Sequence, residues 1–461
     1  MAQTTDPTRS DLAHLLRRAG FGARPDELDA AVQAGYESTV ETLLAGLTAP
    51  DPAGDAVALP DLTNAVAAPG SATSDVSARR ARQMVENQQY LNLQRWWLDR
   101  MIATSTPLRE KLTLLWHGHF ATAFQKVRYA SLMYNQNQLL RTMGGGSFET
   151  LTQAVAKDPA MMIWLDTQTD SAADPNENFA RELMELFTLG IGNYSENDVQ
   201  ASARAFTGWG LTPGTFQFVL RPRRHDNGSK TFLGQTGNFD GTDIVHIVTH
   251  EPAGTKWVVA GLWSHLAYPV APTDPIVGSL ATAYAKDLDV TSLLRAIFLH
   301  PAFTSTTAKQ GLVKQPIEWL VGAARALGLN ADLQATAPAT SPAATSPAAA
   351  PRTGRSLMGE FLTLLAQEPF NPPNVGGWDQ NGYWLNTATS LARLQAGLTI
   401  GEHVDATSLT ALPVSQRASA LATQLSIDGW GTTTASALNH VAAHPVVLVG
   451  LALSAPEYVL N

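Results

Sequence analysis

The chain has 461 residues, 44% of them hydrophobic, which is enough to bury a large core. Its formal net charge of −9 argues against a nucleic-acid binder with a wholly basic surface, and we expect no nucleic-acid partner. Because it contains no cysteine, disulfides, zinc ribbons, cysteine-ligated iron–sulfur clusters and thiol nucleophiles are all excluded.

Apolar residues recur at helical spacing along most of the chain, between recognisable start and stop signals. A first helix is capped by Ser10 or Asp11 and stops at Gly20, and another begins at Pro107 and runs into Phe120. The other helices predicted in the first half are 25–35, 38–44, 78–104, 127–143, 178–189 and 195–207. Those predicted in the second half are 243–250, 254–266, 273–285, 290–298, 317–327, 357–365 and 385–400.

Three segments depart from this pattern. Residues 216–232 contain an apolar run, a basic stretch, the turn Asp226-Asn-Gly228 and Lys-Thr-Phe, and they predict a short β-hairpin. Residues 49–77 are rich in proline, alanine, glycine and aspartate and predict a loop, and residues 335–355 predict a disordered surface insertion. We therefore predict a mostly α fold, with one large multi-helix domain over residues 1–461 and a small β-hairpin excursion.

The sequence shows neither a secretion signal nor a membrane span. The first ten residues lack a basic stretch followed by an apolar one. The most apolar run, residues 446–453, is too short to cross a bilayer. We expect a soluble, cytoplasmic protein from the chain as given, while a signal removed from a longer precursor would make it periplasmic or extracellular.

Two histidines stand in the motif Trp116-His-Gly-His-Phe120, at the predicted end of an apolar helix. In a regular helix, at about 100° per residue, His117 and His119 point roughly 200° apart and cannot bind one ion together. They can do so if Gly118 breaks the helix, since glycine is unfavourable inside helices. Two interpretations stay open: ligands of a divalent metal, or buried histidines that are hydrogen-bonded to backbone carbonyls or carboxylates.

A second polar cluster lies in helix 178–189, where charge is costly to bury unless it is paired or coordinated. Glu182 and Glu185 are three residues apart and share a helix face, and Glu177 lies about 80° from Glu185 if the helix extends that far. Carboxylates placed in this way, meeting histidines from another helix, build metal sites in helical domains. The alternative is a structural ion pair between Arg181 and Glu185, which are four residues apart.

Further candidates lie at the tip of the predicted hairpin. His225 and Asp226 follow the basic stretch 221–224, and we predict that this tip folds back over the helical site to add a ligand or a proton-transfer group. The alternative is an ordinary turn beside a solvated basic stretch, which could also bind an anion. The His-x-x-x-His pair at His246 and His250 has no glutamate after its first histidine, so it is not the zinc-protease pattern.

These considerations yield two sets of candidate site residues, with a divalent metal as the candidate cofactor. The candidate metal ligands are His117, His119, Glu182 and Glu185. The candidate catalytic residues are Glu177, Arg181, His225 and Asp226.

The same residues carry a family resemblance that covers nearly the whole chain. In this order, six motifs resemble the widespread bacterial domain-of-unknown-function family 1800 (DUF1800): Ala13-His-Leu-Leu-Arg-Arg-Ala-Gly-Phe-Gly22, Trp116-His-Gly-His-Phe120, Asn176-Glu-Asn-Phe-Ala-Arg-Glu-Leu-Met-Glu-Leu186, Ala205-Phe-Thr-Gly-Trp209, His225-Asp226 with Lys230-Thr-Phe-Leu-Gly234, and Pro372-Pro-Asn-Val-Gly-Gly-Trp378. Members of this family often carry export signals and are often encoded beside a sulfatase-like protein. The resemblance therefore implies a sulfatase-like partner.

This chain departs from the family pattern at two positions. Members commonly read Trp-His-Asn-His-Phe and Glu-Leu-His-Thr-Leu-Gly, whereas Gly118 stands here for the asparagine and Phe187 for the histidine. The loss of that helix histidine weakens a metal role carried over from the family. Two classes of function stay open. An enzyme with a His/carboxylate pocket, performing hydrolytic or oxidative chemistry, predicts convergent polar groups that solvent can reach. A non-catalytic scaffold or an assembly or secretion partner predicts sealed, fully paired clusters and an exposed apolar patch.

Overall fold

The computed structural model describes residues 7–63, 76–334 and 355–461, and helices dominate all three ranges. The described residues form 25 α-helices and four short β-strands, which confirms the predicted mostly α fold. The first twelve helices are α1 (Pro7–Arg18), α2 (Pro25–Ala34), α3 (Tyr36–Ala45), α4 (Pro52–Asp55), α5 (Val76–Ala103), α6 (Pro107–His119), α7 (Phe124–Val127), α8 (Ala130–Met143), α9 (Phe148–Ala156), α10 (Pro159–Trp164), α11 (Glu177–Glu182) and α12 (Glu196–Phe206).

The strands follow α12, and the remaining helices complete the chain. The strands are β1 (Trp209–Leu211), β2 (Phe218–Leu220), β3 (Lys230–Phe232) and β4 (Gln235–Gly237). The later helices are α13 (Gly241–His250), α14 (Pro252–Leu266), α15 (Pro275–Tyr284), α16 (Val290–Phe298), α17 (Thr306–Lys309), α18 (Pro316–Leu327), α19 (Leu357–Leu364), α20 (Thr387–His403), α21 (Thr407–Thr410), α22 (Val414–Gln424), α23 (Thr432–Val441), α24 (Pro445–Ser454) and α25 (Pro456–Val459).

The prediction of one hairpin over residues 216–232 is wrong in its pairing. β2 pairs with the preceding strand β1, and β3 pairs with the following strand β4, both antiparallel. The segment therefore contains one strand from each of two separate hairpins. The turn between β3 and β4 is Leu233-Gly234, and both residues have positive φ, at 46° and 77°. Two-residue turns of this kind match the twist of antiparallel strands. The Asp226-Asn-Gly228 turn lies instead in the connection between the two hairpins.

Two predicted helices are interrupted. The predicted helix 127–143 is broken at Arg128, whose φ of 66° is left-handed, so α7 ends before it and α8 begins at Ala130. The predicted helix 178–189 is α-helical only to Glu182 and continues as a π-helical segment, Leu183–Thr188. Such segments are frequent at functional sites. The predicted capping box that opens α12 is confirmed, since the side chains of Ser195 and Asp198 each accept the other's backbone N–H.

The predicted loop 49–77 is partly helical. Asp51 is fully buried, caps α4 and accepts hydrogen bonds from Thr104 and Ser105, so this turn packs firmly against the end of α5. Residues 64–75 lie outside the described residues. The predicted insertion 335–355 also lies outside them, except for Arg355, whose guanidinium is 2.6 Å from a carboxylate oxygen of Glu368.

The apolar segment 446–453 belongs to a buried helix. It lies in α24, where Leu448, Val449 and Leu453 have almost no exposed surface. Glycines let α24 approach α20 closely, because a Cβ at Gly397 would come within 2.9 Å of the Gly450 carbonyl oxygen. Of the helices in the described ranges, none combines the length and apolar character that a bilayer span requires.

A buried carboxyl group offers a test of the packing around α10. The side chain of Asp158 caps this helix and accepts hydrogen bonds from the Met161 backbone N–H and from Gln136. Burial raises the pKa of Asp158 to about 7. In the unfolded chain the pKa of this aspartate is lower, about 3.9, so folding between these two pH values takes up a proton. The stability from this group is therefore fully present at low pH and is lost as the pH rises from about 4 to about 7.

We expect Asp158→Asn to remove this pH dependence while keeping the helix cap. Relative to the wild type, the free energy of unfolding of the variant should increase between pH 5 and pH 8, by about 1.4 kcal/mol for each pKa unit covered. Urea denaturation at both pH values measures the difference. The exposed Asp405→Asn is the control and should show no such change, because Thr407 lowers the pKa of Asp405. A parallel response of wild type and Asp158→Asn would contradict the assignment.

Candidate functional site

A cavity of about 220 Å³ lies between α6, α14, the start of α18 and the loop 372–380. Its rim includes the exposed residues Gly376 and Gln380, so the cavity reaches solvent. Its polar lining residues are Lys111, His119, His265, Gln315, Glu318 and Gln380. Trp116, Trp257 and Trp378 supply large apolar walls. Two of the sequence motifs, Trp116–Phe120 and Pro372–Trp378, therefore meet here.

Close backbone contact between these two motifs requires a glycine. Gly377 has a φ of 81°, and a Cβ added to it would lie 2.2 Å from the Gly118 carbonyl oxygen. Only glycine combines that backbone conformation with that proximity. Gly118 itself has ordinary room, since its nearest neighbour would be Trp378 at 3.7 Å. The loop is thus held against the end of α6, with Trp378 in the cavity wall.

A third motif reaches the cavity through Trp257. The indole N–H of Trp257 donates to the Leu186 carbonyl oxygen at 2.9 Å. The Trp257 ring also packs against Gly190, whose φ is 79°. A Cβ added to this glycine would lie 2.5 Å from the nearest ring atom. The glycine that ends the Glu185–Gly190 stretch therefore makes room for a cavity wall.

His119 is the predicted site residue that lines the cavity. Its Nε2–H donates to the Phe187 carbonyl oxygen at 2.9 Å, which leaves Nδ1 as the unprotonated nitrogen. Burial, with a smaller contribution from the nearby His265, lowers the pKa of His119 to about 4. The ring is therefore neutral near pH 7 and has one free lone pair.

His265 is held in a similar way from the opposite wall. Its Nδ1–H donates to the Gly261 carbonyl oxygen at 2.8 Å, and its Nε2 accepts from the Gln380 amide at 2.7 Å. Burial lowers the pKa of His265 as well. Gln380 is exposed, so the hydrogen bond on Nε2 lies at the rim of the cavity.

A buried ion pair adds charge to the cavity. Lys111 donates to Glu318, and both residues line the cavity while being almost fully buried. Glu318 also accepts the backbone N–H of Gln315 at 3.2 Å and so completes the capping box of α18. Because each charge has a partner, the pair can stay ionised inside the protein.

His117 lies outside the cavity and is sealed. Its Nε2 accepts the backbone N–H of Phe370 at 3.1 Å, so that lone pair is not free for a metal. The ring packs against Trp97, Phe370 and Trp378, with centroids 5.4–5.5 Å away. Burial lowers its pKa to about 3. The partner of Nε2 is a backbone N–H and not the carbonyl or carboxylate that the structural alternative predicted.

Glu182 and Glu185 lie beside this region but are not cavity-lining residues. Neither forms a hydrogen bond or ion pair with His117 or His119 in the described part of the chain; Glu185 accepts from the hydroxyl of Tyr194 at 2.8 Å. Burial and then the neighbouring Glu185 raise the pKa of Glu182. The effect of Glu185 on this pKa agrees with two carboxylates that lie near each other, although Glu185 stands in the π-helical segment.

Glu177 and Arg181 belong to a partly exposed ion cluster. Arg181 pairs with Glu177 at 3.0 Å and with Glu196 at 2.5 Å, so the predicted alternative pair with Glu185 is not the one formed. Glu196 is the first residue of α12, and its carboxylate lies next to the Arg181 guanidinium. Such pairs contribute little to stability. Neither residue lines the cavity.

His225 and Asp226 fold onto α12 and are not cavity-lining residues. His225 Nδ1–H donates to the Thr207 carbonyl oxygen at 2.8 Å, and Asp226 pairs with Arg204 at 2.7 Å. The hydrogen bond from Arg204 lowers the pKa of Asp226 to about 2. The buried ammonium of Lys230 donates to the Asp226 carbonyl oxygen at 2.6 Å and holds the turn. The metal and catalytic roles assigned to all eight residues stay predictions.

Sequence reasoning missed most of the polar cavity lining. His265, Lys111 and Glu318 each stand in an apolar helix without a distinctive motif, and only Glu318 carried a signal, as the third residue of a Pro-initiated helix. Gln380 lies two residues beyond the motif Pro372–Trp378. Their convergence depends on helix packing.

Comparison with known proteins agrees with the motif pattern. The family model described as "Protein of unknown function (DUF1800)" matches residues 14–460. The chain belongs to this family. No curated protein and no solved structure matches it significantly.

Phe187, one of the two positions at which the chain departs from the family motifs, borders His119. The ring of Phe187 lies 6.1 Å from the ring of His119 and 5.3 Å from that of Phe120, centroid to centroid. Its carbonyl oxygen is the acceptor for His119. In this DUF1800 chain the position that commonly holds a histidine therefore supplies an apolar ring and a backbone acceptor.

Proposed function

We propose that this protein is an enzyme that binds a small polar substrate in the cavity and transfers a proton through His119. The observation that carries the proposal is the convergence of two neutral histidines and a buried ion pair on one solvent-reachable cavity. Cavities with a few convergent polar groups and perturbed pKa values are the default candidates for active sites. The family is one of unknown function and specifies no reaction.

His119 can act as a proton acceptor. Its ring is neutral at pH 7 with Nδ1 unprotonated, and the position of this nitrogen, rather than the low pKa, favours the role, since a general base works best with a pKa near the working pH. The bond to the Phe187 carbonyl oxygen fixes the ring orientation and the tautomer. A water or substrate hydroxyl that donates to Nδ1 would thereby become a better nucleophile, which is the chemistry of hydrolysis.

The cavity walls indicate the kind of substrate. The cavity volume is about 220 Å³, whereas pockets for drug-sized ligands have about 300–1,000 Å³. The substrate is therefore small. Besides Lys111, the amide side chains of Gln315 and Gln380 line the cavity and can donate to substrate oxygens. Lys111 and Glu318 would orient a polar or charged group. We therefore favour a small, oxygen-rich substrate with an apolar part that packs on the tryptophans.

A panel of p-nitrophenyl esters, phosphates and sulfates tests the hydrolytic proposal. We expect His119→Gln to lower the rate on the best substrate about 10²–10⁴-fold, because a general base contributes roughly that factor. His403→Gln is the matched control: His403 is an exposed helix histidine that donates to the Thr399 carbonyl oxygen and does not line the cavity. Equal rates for wild type and His119→Gln would exclude this role of His119. Metal analysis of wild type, His117→Ala and Glu182→Ala tests the predicted metal role separately.

A non-catalytic scaffold is the second candidate. The observation that favours it is the sealing of His117 among aromatic rings with its Nε2 bonded to the backbone. If the cavity histidines are equally structural, His119→Gln should lower the free energy of unfolding while no panel substrate is turned over. The sulfatase-like partner implied by the family resemblance belongs with this candidate and stays a prediction.

A further inference from the structure

We propose that Glu149, His246 and His250 form a surface site for a zinc-like transition-metal ion. This site is separate from the cavity and does not depend on the proposed enzymatic function. Within the described ranges, these are the only three His, Asp or Glu side chains grouped closely enough to hold a metal ion together. One potential ligand atom from each lies within 4.8 Å of the other two.

The three side chains come from two helices that face each other. His246 and His250 are one turn apart on α13, and their ring centroids are 4.3 Å apart. Glu149 stands in the first turn of α9. One of its carboxylate oxygens lies 2.8 Å from His246 Nδ1, and the other lies 3.9 Å from His250 Nε2.

The hydrogen bonds select which nitrogens can bind a metal. His250 Nδ1–H donates to the His246 carbonyl oxygen at 2.9 Å, so its Nε2 carries the free lone pair and faces Glu149. A backbone acceptor of this kind fixes the tautomer of many metal-binding histidines. His246 Nδ1–H donates to Glu149. If this proton is carried on Nε2 instead, Nδ1 has a lone pair and a metal ion can bind between the same two atoms.

The backbone that carries these ligands is held in place. Gln153 on α9 donates to the Thr242 carbonyl oxygen at 2.8 Å, which ties α9 to the start of α13. The inner face of α13 is buried through Ile244, Val245 and Val248. The ligand side chains themselves are 28–60% exposed, so their rotamers can adjust without disturbing the core. Binding therefore requires side-chain movement only.

The ligand set selects the class of metal. Two imidazoles and one carboxylate suit zinc and its neighbours among the transition metals, whereas magnesium and calcium prefer sites built from oxygen ligands. Tetrahedral zinc has ligand distances of about 2.0–2.2 Å, which places ligand atoms roughly 3.4 Å apart. The three candidate ligand atoms lie within 4.8 Å of one another, so changes of side-chain rotamer must bring them to that spacing. Three protein ligands leave the fourth position to water.

Isothermal titration of the full chain with ZnCl₂, after removal of metals with EDTA, tests the site. We expect one tight binding event per chain, no binding of MgCl₂, and tighter binding of CuCl₂ than of NiCl₂. His246→Ala and His250→Ala should each weaken zinc binding by more than about 100-fold. Loss of a residue that only hydrogen-bonds to a metal ligand costs about 10–100-fold, and loss of a ligand should cost more. Both histidines are exposed, so circular dichroism should show unchanged folding.

His440→Ala is the matched control, since His440 is an exposed helix histidine that donates to the Ser436 carbonyl oxygen. It should bind zinc as the wild type does. Wild-type zinc affinity in His246→Ala and His250→Ala would overturn the proposal, and so would the absence of tight binding in the wild type. Zinc binding that is abolished by His119→Ala but not by His250→Ala would place the metal in the cavity and would also overturn it.

Discussion

Glu110→Gln is expected to destabilise the fold by about 3–5 kcal/mol, because it removes the carboxylate that joins Arg100 and Arg141 in a buried ion network. Glu110 has no exposed surface, and its two carboxylate oxygens accept from Arg100, Arg141 and the indole of Trp97 at 2.7–3.0 Å. Arg100 keeps an ion pair with Asp55 at 2.9 Å. Arg141 is left inside the protein without a carboxylate partner.

Urea denaturation at pH 7 measures this loss, with Glu41→Gln as the control. Glu41 forms a two-pronged pair with Arg295 at 2.7 Å, but this pair is exposed, so its loss should cost far less than that of Glu110. A similar, small effect of both substitutions would show that the buried network contributes no more than a surface pair.

The same network predicts a pH dependence. Burial by itself raises the pKa of Glu110, but Arg141 and Arg100 outweigh it and hold this pKa below its usual value. The stability that Glu110 contributes is therefore present above the pKa of the unfolded chain, about 4.3, and is lost as the pH falls below it. The difference in unfolding free energy between wild type and Glu110→Gln should shrink correspondingly in acid.

Gly377→Ala should be the most disruptive single substitution at the cavity. A left-handed φ costs a residue with a Cβ roughly 1–3 kcal/mol. The added Cβ would also lie 2.2 Å from the Gly118 carbonyl oxygen, so the backbone must move, which adds about 1–3 kcal/mol. The loop would be pushed away from α6, carrying Trp378 and Gln380 with it. We expect both a loss of several kcal/mol and a cavity that no longer brings Gln380 to His265.

Urea denaturation followed by tryptophan fluorescence measures both effects, since Trp378 is part of the displaced loop. Gly382→Ala is the control within the next turn, because a Cβ there meets nothing within 4 Å and its φ is not positive. If Gly377→Ala and Gly382→Ala unfold at the same urea concentration, the close contact with Gly118 is not required.

Local sequence signals predicted most of the helices. The Ser-x-x-Asp pattern at Ser195 became the predicted capping box, and Pro25 stands at the first position of a helix. These signals depend on neighbouring residues and on hydrogen bonds that each helix makes within itself. The breaks at Arg128 and after Glu182 were missed because nothing in the local sequence forbids a continuous helix there. The strand pairing failed for a related reason, since a three-residue strand can pair with either neighbour until a turn decides.

The candidate site shows the same division between local and long-range information. The sequence by itself determined the mostly α architecture and the family, because motifs and periodicity are local. It also singled out His119 and the motif Pro372–Trp378. Only the tertiary structure decided that His119 meets His265, Lys111 and Glu318 in a cavity while His117 is sealed. Only it brought Glu149 to His246, 97 residues away. The physical reason is that side chains from separate helices converge through the packing of their apolar faces, and pairwise spacing along one chain does not encode that packing.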